Sequence, residues 1–116
     1  MFEVDYYEDA RGRRPVEDFI DSLDPKMKAK IFGGLELLER YGACLGMPYA
    51  RHVEKGIYEL RTIQSANITR ILYFFVAGER IILTHGFVKK TRKTPRREIE
   101  RAFAIREDWR KRNERL

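Results

Sequence analysis

Apolar and polar residues alternate at the start of the chain, where Phe2, Val4 and Tyr6 interleave with Glu3, Asp5 and Tyr7. A period of two predicts a short strand with one buried face. Asp9 through Arg13 reads as a turn, after which the period lengthens. Val16, Phe19, Ile20 and Leu23 recur at helical spacing behind Pro15, whose fixed φ suits a first helical position. Asp24-Pro25 marks a second helix start, with Asp24 placed to cap free amides. That helix carries Met27, Ile31, Leu35 and Leu38 on one face and ends near Gly42. Gly33 and Gly34 within it cost on the order of 1 kcal/mol each in helix propensity, which predicts another element packed closely there.

A loop through Met47-Pro48 leads to three strand-like stretches, Ile57 to Ile63, Ile68 to Val76 and Ile81 to Val88. They are rich in Ile, Tyr and Phe and joined by short links, so they predict an antiparallel meander. Thr94-Pro95 opens a last helix by the same cap-and-proline logic, with Ile99, Ala102, Phe103 and Trp109 as its apolar stripe. The order is β-α-α-β-β-β-α. It predicts one α+β domain spanning residues 1–116, a compact fold in which helices pack on one face of a small, twisted, mainly antiparallel sheet.

Composition narrows the class. A 43% hydrophobic share in 116 residues suits one folded domain with one core. No apolar run nears the ~20 residues of a membrane span, and the first residues lack the basic start and apolar core of a signal peptide. Cys44 is the lone cysteine, which excludes an internal disulfide and points to a reducing, cytoplasmic setting. Its expected role is that of a small hydrophobe rather than a nucleophile.

Charge changes the picture once it is located. The net charge is +6, yet residues 89–116 hold twelve of the 24 Lys and Arg and only five of the 18 Asp and Glu. That segment alone is +7, and residues 1–88 are −1. A concentrated basic region is the footprint of a polyanion, most simply nucleic acid, although a solvated helix face with a basic tail has the same composition.

The chemistry is expected on the sheet face that the helices leave open. Alternation points Glu59 and Arg61 one way and Tyr58 and Leu60, expected in the core, the other. Arg70 interrupts the apolar run Ile68 to Phe75, and an arginine there needs a partner or an open face. It is either half of an ion pair, with Glu59 the candidate, or a planar fork for a phosphate. The stretch Thr84 to Pro95 holds His85, Lys89, Lys90, Arg92 and Lys93 among twelve positions and runs into a helix N-terminus, a plausible phosphate cradle. Phe87 within it is either a stacking platform for an unpaired base or core. Two histidines with no joined acidic cluster make no convincing metal site, and no cofactor is expected.

Three blocks taken in order carry a family resemblance: Gly56-Ile57-Tyr58-Glu59-Leu60-Arg61, Arg70-Ile71-Leu72-Tyr73-Phe74, and His85-Gly86-Phe87-Val88-Lys89-Lys90-Thr91 with Lys93-Thr94-Pro95 and Glu98-Ile99-Glu100. Together they resemble the HigB-type branch of the RelE toxins. The resemblance implies the compact RelE-like fold, cleavage of mRNA at the ribosome, and neutralisation by a cognate antitoxin, often a helix-turn-helix protein. Arg61 and Arg70 match the family's two strand arginines. Its basic loop ahead of that strand corresponds to Arg51, His52 and Lys55, and its groups near the end of the last strand fall around His85, Lys89, Lys90 and Lys93.

The expected activity is that of a type II toxin, a metal-independent endoribonuclease that arrests translation and growth. Such cleavage turns the RNA's own 2′-hydroxyl against the neighbouring phosphate, which requires two proton transfers and stabilisation of extra negative charge. Arg61 and Arg70 are the candidates for holding the phosphate, His52 or His85 for acid or base, and Lys89 for a further proton carrier. Lys55, Lys90, Arg92 and Lys93 are the candidates for binding flanking RNA. Two other readings compete: a non-catalytic RNA- or ribosome-binding module, and a structural or DNA-associated protein whose last helix docks on another chain.

Overall fold

The computed structural model describes residues 1–113, so the last three positions of the basic segment lie outside the described residues. Strand β1 (Glu3–Tyr6) is followed by α1 (Pro15–Asp21) and α2 (Pro25–Tyr41). Four strands come next: β2 (Ala50–Glu54), β3 (Ile57–Gln64), β4 (Asn67–Val76) and β5 (Arg80–Val88). Helix α3 (Arg96–Asn113) closes the described chain. Asp24 caps α2 as its chemistry requires, accepting from the Met27 amide at 3.0 Å.

The strands form one sheet in the order β1-β5-β4-β3-β2. β2 to β5 make an antiparallel meander, and β1 returns parallel to β5, so the sheet is mixed. The α+β class and the mainly antiparallel sheet agree with the expectation and with a RelE-like domain. The strand β2 was missed; its Arg51 and His52 belong to a strand rather than to a basic loop. Its sequence, Ala50-Arg51-His52-Val53-Glu54, has little apolar signal of its own because it is an edge strand, and Arg51 and His52 are exposed.

The expectation that helices share one face needs correction. α1 and α2 bury Val16, Ile20, Met27, Ile31, Leu35 and Leu38 against Leu60, Ile71, Tyr73, Ile81 and Leu83. α3 lies on the opposite face, where Ala102, Ile105 and Trp109 meet Ile57, Leu72, Phe74 and Ile82. Both faces of the central strands are apolar, which is why β4 is an almost unbroken hydrophobic run, as strands covered on both sides are. Gly34 lies against Leu60 as the helix propensity argument predicts, whereas an added methyl at Gly33 would meet nothing.

A bulge in β5 decides which side chains face α3. Leu83 pairs with Tyr73 and His85 with Leu72, so Thr84 is an extra residue between them. Strict alternation would place His85 beside Leu83 on the α1/α2 face. The bulge turns it to the α3 face instead.

Candidate functional site

Beyond the N-terminal end of α3, the sheet carries a cleft of about 320 Å³ lined by Met47, Ala50, Arg51, Glu59, Arg61, Arg70, Lys89, Arg92 and Lys93. Six of these nine residues are cationic and one is acidic, so the cleft is a site for an anion. Cross-strand pairing builds it from the sequence upward. Arg61 stands opposite Arg70 across β3 and β4, and Glu59 stands opposite Arg51 across β2 and β3. Odd-numbered residues of β3 face α3, which puts Glu59 and Arg61 on one side with Arg70.

The two strand arginines differ in their surroundings. Arg70 is 3% exposed. One terminal nitrogen donates to the Thr94 hydroxyl at 2.8 Å and lies 3.3 Å from the Glu59 carboxylate, while the other donates to the Arg92 carbonyl at 2.9 Å. Burial pulls its pKa down and Glu59 raises it, but an arginine stays charged under both influences. Arg70 is thus held in the ion pair that its apolar strand calls for, and only a small part of it is open to a ligand. Arg61 is half-buried, its guanidinium makes no hydrogen bond or ion pair among the described residues, and its Nε is buried without a partner. An unpartnered guanidinium in a cleft is an anion-seeking group.

Glu59, 1% exposed, is the carboxylate at the centre. It accepts from Arg51 Nε at 2.8 Å and from the Thr94 hydroxyl at 2.6 Å. The Thr94 side chain, expected to cap α3, is therefore used by Glu59 and Arg70. The tie folds the end of segment 89–94 over the sheet beside Arg92 and Lys93, while Lys89 is held at the cleft by its own amide, which donates to the Ile68 carbonyl at 2.8 Å. The Lys89 amine is pulled below the ordinary lysine value, first by desolvation, then by Arg70 and Arg61, with Glu59 opposing.

The remaining candidates stand elsewhere. His85 is 1% exposed and outside the cleft lining. Its Nε2 lies 3.1 Å from Glu98 on α3, and its Nδ1 lies 3.1 Å from the Thr84 hydroxyl. Burial lowers its pKa to about 4, with Arg101 adding to the effect and Glu98 opposing it. A neutral ring with its proton on Nε2 donates to Glu98, while the Thr84 hydroxyl divides its single proton between Nδ1 and the Leu72 carbonyl, also 3.1 Å away. His52 pairs across the strands with Tyr58, and the two rings meet edge-on at 5.0 Å. Because Tyr58 packs on the α1/α2 core, His52 belongs to the face opposite Arg61. Lys55 is exposed in the β2–β3 turn, where its carbonyl accepts from Arg106. Lys90 lines a neighbouring cleft of about 720 Å³ with Lys89, Lys93, Phe87 and the start of α3. Phe87 also packs against the α3 core.

Three members of the cleft, Met47, Ala50 and Glu59, carried no assigned role in the site from sequence, Glu59 being read only as a possible partner of Arg70. Its position two residues from Arg61 on the same strand face was the signal available. Among the described residues, no group of three or more His, Cys, Asp or Glu is placed to hold a metal ion, and no helix is long and apolar enough to cross a membrane.

Residues 18–107 match the family model described as Phage derived protein Gp49-like (DUF891), a span that includes every residue of the cleft. No curated protein matches the chain.

Proposed function

The chain belongs to the Gp49-like family of phage-derived proteins, a family of toxin–antitoxin-associated, RelE/HigB-like toxins, and from that premise we propose that it is an endoribonuclease that cleaves mRNA at the ribosome without a metal, in the manner of the HigB-type branch. The observation that carries the reading is Arg61, an unpaired guanidinium in a cationic cleft beside a second arginine that is already neutralised. An RNA phosphate supplies the missing counter-charge. The proposed partner in the resting cell is a cognate antitoxin of the helix-turn-helix type, and the proposed setting is the cytoplasm.

The chemistry follows from what the cleft holds. The 2′-hydroxyl of the substrate attacks the adjacent phosphorus, the bond to the 5′-oxygen breaks, and a 2′,3′-cyclic phosphate and a 5′-hydroxyl result. Arg61 donates to the equatorial oxygens as charge builds on them, a term worth a few kcal/mol when one such donor is removed. Lys89, whose lowered pKa brings it nearer the working range, gives a proton to the departing oxygen, and water takes the proton of the 2′-hydroxyl. Arg51, Arg92 and Lys93 hold flanking phosphates.

One observation favours the second reading, an RNA- or ribosome-binding module without catalysis: neither histidine lines the cleft. Induced expression separates the two. Growth arrest, with new 5′ ends seen by primer extension in wild type and lost in Arg61→Ala, supports the nuclease. Retardation of RNA without any new ends supports the module.

A further inference from the structure

The cleft has two cationic walls that come from distant parts of the chain. One is Arg51 on β2; the other is segment 89–94, which carries Lys89, Arg92 and Lys93. The same buried carboxylate touches both. Glu59 receives Arg51 Nε at 2.8 Å on one oxygen and the Thr94 hydroxyl at 2.6 Å on the other. Arg70, held 3.3 Å from that second oxygen, completes the second wall by donating to the Arg92 carbonyl.

Stability alone does not call for this arrangement. Buried ion clusters are often no more stabilising than packed apolar residues of the same volume, because desolvation offsets their attraction. Neither does simple charge balance, since the Glu59 carboxylate leaves Arg61 unpaired while engaging Arg51, which is 42% exposed and has water available. What the contacts do accomplish is geometric. Arg51 is a long side chain that would otherwise sample many rotamers, and segment 89–94 is free of regular structure.

We propose that Glu59, acting through Thr94, is the positioning residue of the cleft, fixing Arg51 on one wall and the basic segment 89–94 on the other. The proposal rests on the nuclease reading above. Glu59 touches no reacting atom in it; its effect reaches the RNA through the groups it holds.

Glu59→Gln removes the charge that holds Arg70 and can cost the fold, so the decisive variants are at Thr94. Thr94→Val is close in shape and deletes one hydroxyl; Thr94→Ser restores it. Each purified full-length variant is scored by single-turnover cleavage of free RNA and of mRNA in a translating extract, by RNA affinity, and by thermal melting. The expected result for Thr94→Val is a cleavage rate about tenfold lower at saturating RNA, with affinity kept within about twofold, as misplacement of binding groups produces, and a melting point lowered by the lost hydrogen bonds to Glu59 and Arg70 but still well above the assay temperature. Thr94→Ser recovers the wild-type rate. Wild-type cleavage by Thr94→Val, or a Thr94→Ser variant as slow as Thr94→Val, overturns the inference while leaving the nuclease reading in place. Failure of the wild-type protein to cleave either substrate overturns the nuclease reading itself, and the inference with it.

Discussion

Arg61 and Arg70 face each other across β3 and β4, and one carboxylate, Glu59, neutralises Arg70 and leaves Arg61 without a partner. Like charges placed opposite one another in a sheet repel. The pair persists because one member is held in an ion pair and the other is left for an anion. The two residues should therefore respond to mutation in opposite ways.

Arg61→Ala removes a charge with no partner, so stability should stay within about 0.5 kcal/mol of wild type, while toxicity and cleavage are lost. Arg70→Ala leaves Glu59 buried beside a vacated guanidinium site, and should cost about 3–5 kcal/mol. Urea unfolding of the two variants tests this directly. Equal destabilisation by both would contradict the division of roles.

Lys89→Arg keeps the positive charge and removes an amine whose pKa is pulled below the ordinary lysine value by desolvation and by Arg70 and Arg61. RNA affinity should remain within about threefold, whereas cleavage should fall about 100-fold if proton donation is lost. In the wild type the rate should decline as pH rises through the lowered Lys89 pKa, because the donor must be protonated. That alkaline decline should vanish in the variant. Persistence of the same limb in Lys89→Arg assigns the proton to another group.

His85 should make stability depend on pH in a defined window. The folded protein holds the ring neutral, with a pKa of about 4, while the unfolded chain takes up a proton near pH 6.5. Above about pH 6.5 both states are neutral; as pH falls toward about 4 the unfolded state binds the extra proton, and stability drops by a few kcal/mol. Below that window both are protonated and the contribution levels off. Urea midpoints in wild type and His85→Asn isolate the effect from that of the carboxylates, and imidazole NMR reads it at the residue. A ring that titrates near its ordinary value in the folded protein would contradict the burial.

Gly86→Ala should cost about 1–3 kcal/mol, the usual penalty for overfilling a packed site. A methyl there would overlap the Phe19 ring where α1 lies against β5. Thermal melting checks it, and a companion Phe19→Leu substitution should recover part of the loss.

Local pattern reached far into this protein. Periods of two and 3.6, the Asp24-Pro25 start and the short links defined seven of the eight α and β elements as elements of the right type, with α1 beginning at Pro15 and α3 one residue after Pro95. Alternation alone put Glu59 and Arg61 on one face of β3, and the composition of residues 89–116 located the positive charge. These features rest on neighbours a few positions apart, which the amino-acid order specifies directly. The edge strand β2 escaped because its two exposed polar residues mask any alternation.

The tertiary structure decided the remainder, because it turned on pairings between distant residues. The bulge at Thr84 moved His85 to the face where Glu98 covers it, and one residue of slippage is invisible to a period of two. Helix α3 packed opposite α1 and α2 because both faces of β4 are apolar and each needs a cover. Which arginine Glu59 would take, and that Thr94 would bind Glu59 in place of capping a helix, depended on folding residues 35 positions apart into contact. Side-chain type states what a group is able to bind; only the folded chain states what is within reach.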